Sequence, residues 1–394
     1  MPYLAGIIIT FFLAVLLIGK RNKTAADRIL FAWLCVIAFH LLLFYLFITG
    51  KFYNYPLLMG IHLPFPLLHG PFLFVYTAEL TCQQPKKRIV ALLHFLPAII
   101  LYVIMIPFFS MTASEKINVY LHNGAGYEEI LRIAFWAIII SGIAYVVAAL
   151  FLLRRYRKSI EDEFSNTEKI NLAWLRYLIY GIAVIWIAVI MGNDPVIYGI
   201  VSVYVFLLGY FGIKQVGIFT SAFSQNRKLS TTSTEKILQD PGSPVYTELL
   251  PEDDDDPSGI VITTPKVKYE KSGLGEEQAE RIYKHLVGNM TNQKLFSDSE
   301  LTLAVLAKTL DVHPNHLSQV INSYEGKNFY DFINFHRVEE FKKLAPLPDN
   351  RNYTLLSLAY QCGFNSKTSF NRNFKKATGV SPTEWLQQFH ISLN

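Results

Sequence analysis

Two short stretches near the C-terminal end carry the side chains best suited to recognising another molecule. In the first, Leu317, Val320, Ile321 and Tyr324 recur at helical spacing and leave Asn315, Ser318, Gln319 and Asn322 on the opposite face. Those four are compact donors and acceptors with no Lys or Arg among them, a set that suits hydrogen bonding to base edges in a major groove. In the second, Phe370, Phe374 and Ala377 mark a face to be buried. Lys367, Thr368, Asn371, Arg372 and Lys375, joined by Lys376, mark the other. Between Arg351 and Thr383 there are five basic residues and no acidic one, so this stretch forms a local positive patch for phosphates although the whole chain carries only +5. No nucleophile–base pair, metal spacing or phosphate-binding loop accompanies these faces, and Cys35, Cys82 and Cys362 are scattered. The expectation is a binding protein and not an enzyme, with no metal and no cofactor.

Each face needs elements to position it. Leu303, Leu306, Ala307 and Leu310 give a short helix over Thr302–Leu310, Asp311-Val312 gives a turn, and His313-Pro314 starts the next helix with proline at its first position, where a missing N–H does no harm. The pattern recurs. Leu355, Leu358, Ala359 and Cys362 line another short helix, Gly363-Phe364 makes the turn with glycine where a positive φ is expected, and Asn365 is expected to cap the following helix. A helix near Phe329–Leu344 joins the two halves, and another over Glu276–Met290 precedes them, with Ala279, Ile282, Tyr283 and Leu286 inward. The result is two helix-turn-helix units on one connector, able to enter successive major grooves about one helical turn apart.

Residues 302–386 resemble the AraC/XylS-type DNA-binding domain, through LTLAVLAKTLDVHPNHLSQVI, NFYDFINFHRVEEFKKL and YTLLSLAYQCGFNSKTSFNRNFKKATGVSPTEWL. By that resemblance, base reading falls to Asn315, Ser318 and Gln319 in the first unit and to Lys367, Thr368 and Arg372 in the second, with Lys375 and Lys376 on phosphates. Two positions depart from the family pattern: His313 stands where a serine cap is common, and Leu386 stands where a basic residue often follows the final aromatic.

The N-terminal half belongs to a different solvent. Hydrophobic residues make up 52% of the chain and charged residues 17%, and the apolar excess lies almost wholly before Lys214. Seven stretches have the length and composition of bilayer-crossing helices: Tyr3–Gly19, Ile29–Thr49, Leu57–Leu80, Ile89–Ser110, Ile130–Leu153, Leu172–Met191 and Pro195–Ile213. The odd loops hold Lys20, Arg21, Lys23 and Arg28, then Lys86, Lys87 and Arg88, then Arg154, Arg155, Arg157, Lys158 and Lys169. The even loops hold only Lys51 and Lys116. That alternation places the N-terminus outside and the C-terminal end in the cytoplasm. Within the spans, His40, His62, His69, Glu79, His94, Arg176 and Asp194 are ionisable. His62 and His69 lie one heptad apart in a segment that Pro64, Pro66 and Pro71 are expected to kink, which makes them candidates for lining a ligand pocket within the membrane.

From about Gln215 to Gly275 no period survives, and Glu252–Asp256 is a pure acidic run; this is a tether by composition. The fold class expected is all-α: a seven-helix transmembrane bundle (1–214), a flexible cytoplasmic linker (215–275) and a DNA-binding domain (276–394) with two helix-turn-helix units and a connector helix. Seven spans ahead of such a domain resemble the membrane-bound AraC-type regulators of Bacteroidetes-like bacteria. The resemblance implies a one-component transcription regulator of the bacterial cytoplasmic membrane, with double-stranded DNA, the lipid bilayer, an unidentified signal and a second copy of the chain as partners. Two alternatives stay open: a transporter or other membrane protein with an accessory helix-turn-helix domain, and a constitutive regulator that the bundle merely anchors.

Overall fold

The computed structural model of the protein describes residues 2–21, 23–85, 88–191, 194–214, 274–391 and 393. Among these residues the fold is all-helical, with no strand. The expected tether falls outside the described residues, apart from Leu274 and Gly275. Packing divides the chain into two compact units: Met1–Tyr156 with Leu172–Ser243, and Arg157–Asn171 with Pro244–Asn394.

In the first unit, α1 (Pro2–Gly19) packs on α2 (Ala25–Ile48) and on α10 (Asp194–Lys214). Helix α2 packs on α3 (Pro66–Leu80), and α9 (Ala173–Met191) on α10. A capping box starts α2: the Thr24 hydroxyl accepts from the Asp27 N–H, while the Asp27 carboxylate accepts from the Thr24 N–H and also from Lys20 Nζ at 2.7 Å. Among the described residues, three helices are long and apolar enough to cross a membrane by length and composition: Ala25–Ile48, Ala173–Met191 and α8 (Glu128–Glu163). Shorter apolar stretches cover Leu4–Gly19 and Val196–Phe206.

The expected third and fourth spans are interrupted. Leu57–Leu80 becomes regular α-helix only at Pro66, because Pro64 and Pro66 withdraw two N–H donors and Gly60 turns at φ +84°. Ile89–Ser110 is divided into α4 (Arg88–Leu93), α5 (Leu96–Ile104) and α6 (Ile106–Phe109), with a proline in the first turn of each of the last two. A further short helix, α7 (Ala113–Leu121), precedes α8.

Along α8, Ile133, Trp136, Ile140, Ile143, Val147 and Phe151 form one exposed apolar stripe, while Ala134, Val146, Ala149 and Leu153 face inward. An exposed apolar stripe of that length marks a surface suited to lipid or to another apolar protein face. Glycine permits close helix approach: a Cβ on Gly142 would lie 2.2 Å from the Trp186 ring, and one on Gly70 would lie 2.5 Å from the Tyr145 ring.

The bundle holds a chain of polar groups. Trp33 Nε1 donates to His69 Nδ1 at 3.3 Å, His69 Nε2 faces His40 Nδ1 at 3.1 Å, and His40 Nε2 faces the Tyr198 hydroxyl at 2.7 Å. An indole can only donate, so two neutral rings are both satisfied when each carries its proton on Nε2. His62 is not on the helix with His69. It lies in the turns before α3, with its ring against Phe47 and Phe52.

The second unit contains α11 (Glu276–Asn292), α12 (Leu303–Thr309), α13 (Pro314–Glu325), α14 (Phe329–Leu344), α15 (Leu355–Gln361), α16 (Lys367–Thr378) and α17 (Pro382–Gln388). It has two cores. Ile282, Leu286, Leu306, Ala307, Leu317, Val320 and Ile321 fill the first, and Leu358, Ala359, Cys362, Phe370, Phe374 and Trp385 the second. Helix α14 serves both, giving Phe329, Phe332 and Ile333 to the first and Val338 and Phe341 to the second. A helix whose two halves are locked in adjacent cores is a rigid spacer. Two inward assignments are corrected. Tyr324 is 41% exposed, because its ring stacks on Tyr283 at 4.5 Å on the surface of the unit, and Ala377 is exposed past the last inward turn of α16.

Candidate nucleic-acid interface

The two helix pairs are built alike, from the same backbone device. After α12 the Val312 N–H reaches back to the Ala307 carbonyl at 3.0 Å, and after α15 the Phe364 N–H reaches back to the Ala359 carbonyl at 3.2 Å. Both closures need a left-handed residue, Asp311 at φ +54° and Gly363 at φ +96°. Only the second site demands glycine on steric grounds as well: a Cβ there would lie 2.5 Å from the Phe296 carbonyl oxygen and 2.9 Å from Arg337 Nε.

The second turn is one residue longer, Cys362–Ser366 against Leu310–His313. That extra residue moves the cap: Ser366, not Asn365, accepts from the Ser369 N–H and starts α16. In the first pair His313 takes the role, its Nδ1 accepting from the Asn315 N–H at 3.2 Å ahead of Pro314.

On α13, Asn315 is exposed and Ser318 and Gln319 are half-buried. Gln319 Oε1 is buried without a hydrogen-bond partner, and Asn322 donates to the Ser318 carbonyl at 2.8 Å. On α16, Lys367, Thr368, Arg372, Lys375 and Lys376 are all exposed on one side. Two of them already have partners on α14. Arg372 Nη2 donates to the Tyr330 hydroxyl, which also receives Asn373 Nδ2 at 2.7 Å, and Lys376 pairs with Asp331 at 2.6 Å. The sequence pattern missed Tyr330 and Asp331 because both belong to the connector, and nothing in a helical period shows which side chains of another helix lie beside it.

Arg337 bonds α14 to the residues just before α12 and to Ser165. It is 2% exposed, and its guanidinium donates to the carbonyls of Phe296 (2.7 Å) and Asp298 (2.7 Å), to Asn334 Oδ1 (3.1 Å), and to Ser165 Oγ (3.1 Å) and Ser165 O (3.3 Å). Burial pushes it down to about 10, against the pull of Tyr330, Asp298 and Glu300, so it stays charged at neutral pH. The Cys362 thiol is pushed up to about 12, chiefly by burial and then by the charge of Glu340, with Lys294 opposing; it is an inert core group.

Ser165 belongs to Arg157–Asn171, which packs within this unit. Phe164 forms an antiparallel bridge with Thr302, and the Ser165 N–H and hydroxyl both donate to the Leu301 carbonyl, at 3.2 and 2.6 Å. Further along, the Ser366 hydroxyl donates to Glu168 Oε1 at 2.6 Å.

Residues 306–388 match the family described as Helix-turn-helix domain. The uncharacterized HTH-type transcriptional regulator YijO of Escherichia coli (strain K12) is 32% identical over 95 residues, which are 24% of this chain and 32% of that protein. YobQ of Bacillus subtilis (strain 168), also named an uncharacterized HTH-type transcriptional regulator, is 34% identical over 82 residues, 21% of this chain and 33% of that one. YtdP of the same organism, named likewise, is 29% identical over 91 residues, 23% of this chain and 11% of that one. A solved structure of a protein of unknown function from Listeria innocua aligns at 24% identity and a TM-score of 0.24, over 27% of this chain and 96% of that one. The chain spans a third or less of the length of the three bacterial regulators, and residues 306–388, which carry the two helix pairs, form a helix-turn-helix domain.

Proposed function

We propose that this protein is a membrane-embedded, one-component transcription regulator that reads DNA through α13 and α16. The observation that carries the reading is the duplicated helix pair on one shared helix. Because α14 belongs to both cores, the two recognition helices are held at a fixed separation, as a reader of successive major grooves requires. Asn315, Ser318 and Gln319 read base edges in one groove, and Lys367, Thr368 and Arg372 read the next. Lys375 and Lys376 take phosphates, Lys376 exchanging Asp331 for them.

The N-terminal bundle is the membrane part and the sensor, a reading supported by three long apolar helices and the exposed apolar stripe on α8. The charge of the loops sets the cytoplasmic side. Arg157–Asn171 lies within the fifth loop of the expected topology, and its packing among the C-terminal helices supports placing that loop and the DNA-reading domain on the same side. Pairing of two copies through the bundle would raise the effective concentration of the second domain at a promoter.

The test is fluorescence anisotropy with the full chain in lipid nanodiscs and labelled duplexes from its own upstream region. Selective binding that Lys367→Ala with Arg372→Ala abolishes supports the reading. Equal, weak binding to every duplex, unchanged by that pair of substitutions, contradicts it.

A further inference from the structure

Arg157–Asn171 is held against the DNA-reading domain more closely than a connecting loop requires. Ser165 is 1% exposed. Its N–H and hydroxyl engage Leu301, and its carbonyl accepts from Asn334 Nδ2 at 3.1 Å and from Arg337. Asn166 Nδ2 donates to Glu300 Oε1 at 3.3 Å, and Lys169 pairs with the same carboxylate at 3.9 Å. These contacts fix the segment beside the start of α12 and the middle of α14.

From that anchor, two carboxylates extend to the second helix pair. Glu168 accepts from Ser366, the residue that caps α16. The N-terminus of a recognition helix is the end that faces base edges, and its dipole and N–H groups favour an anion. Glu161, half-buried, lies within electrostatic reach of Arg372, Lys376, Arg157 and Asp331. Its carboxyl is pushed up by burial and then by Asp331, while the three cations pull it down. One acid therefore stands at the cap of α16 and the other near Arg372 and Lys376, cations that the DNA reading assigns to the duplex.

We propose that Arg157–Asn171 is an intramolecular competitor of DNA, docked through Ser165 and occupying the positive surface of α16 with the carboxylates of Glu161 and Glu168 in place of phosphates. The described arrangement is then the DNA-free state, and duplex binding requires the two acids to withdraw. Arg337 tolerates the exchange: without Ser165 its guanidinium keeps Phe296, Asp298 and Asn334 as acceptors. A signal that moves this segment would act directly on DNA affinity. The inference rests on the DNA-binding reading above.

The test uses the full chain in nanodiscs with a labelled duplex from its own upstream region. Glu161→Gln with Glu168→Gln alters neither the anchor nor any α13 or α16 side chain. It is expected to tighten binding about tenfold at low salt, with the gain shrinking as salt rises. Coupling is reciprocal, so saturating the wild-type chain with duplex is expected to speed amide exchange in Asn166–Asn171, read by mass spectrometry. Equal affinity of wild type and double variant, with Lys367→Ala/Arg372→Ala still abolishing binding, overturns this proposal and leaves the DNA reading intact. Unchanged or slower exchange with duplex also overturns it. Failure of every form to bind duplex overturns the DNA reading, and the proposal falls with it.

Discussion

The two helix-turn-helix pairs share a scaffold and differ in nearly everything laid over it. Both close their turns through a left-handed residue and a backward N–H to alanine, and both pack on α14. Yet α13 presents a neutral amide-and-hydroxyl face, while α16 presents Lys367, Arg372, Lys375 and Lys376. Of the two caps, His313 accepts from its own helix, whereas Ser366 also engages Glu168 from a distant part of the chain. In the proposed reading the two faces divide the labour. Hydrogen-bonding faces discriminate between bases but supply little long-range attraction, and cationic faces do the reverse. On the same reading, the pair that supplies affinity is also the one that the acidic segment controls.

The comparison is broken most severely at the turns. Gly363→Asp forces a Cβ against the Phe296 carbonyl at a positive φ, and is expected to destabilise the unit by about 3 kcal/mol or more in thermal unfolding. The matching change in the first pair, Asp311→Gly, relieves a strained φ in open surroundings and is expected to shift stability by less than about 1 kcal/mol. Equal losses at the two positions would contradict the steric difference between the two turns.

On binding, Lys367→Ala with Arg372→Ala is expected to lower duplex affinity about a hundredfold and to reduce the salt slope by about 2. Asn315→Ala with Gln319→Ala is expected to cost about tenfold on the preferred sequence, leave the salt slope unchanged and relax selectivity at one half-site. The smallest effect sharpens the role of α14: Asp331→Asn releases Lys376 from a partly exposed pair, and is expected to tighten non-selective binding about twofold. Titrations over a salt series separate all three.

Much of the C-terminal half was legible because it obeys local rules. Leu306, Ala307, Leu317, Val320, Ile321, Phe370 and Phe374 are buried where helical spacing puts them, Pro314 starts α13, and Gly363 has the positive φ its place in the turn demanded. The errors are local too. The extra residue after α15 moved the cap from Asn365 to Ser366, and Tyr324 found a surface partner in Tyr283 in place of the core.

In the N-terminal half the apolar stretches gave helices, but hydropathy does not register backbone donors. Pro64, Pro66, Pro97 and Pro107 broke two stretches that composition alone joined. Least legible was Arg157–Asn171. Its charges placed it in a loop, and its contacts with Leu301, Arg337 and Ser366 join residues far apart in the chain with no periodicity to announce them.

Hydroxyl-radical footprinting of the full chain on its own upstream DNA separates a rigid, two-headed reader with unequal heads from a single-site or loosely joined one. Two protected patches are expected on one face of the duplex, about one helical turn apart. Asn315→Ala/Gln319→Ala should weaken one patch, and Lys367→Ala/Arg372→Ala should remove both at moderate salt. A single patch, or two whose spacing varies from site to site, would contradict the rigid, two-headed reader.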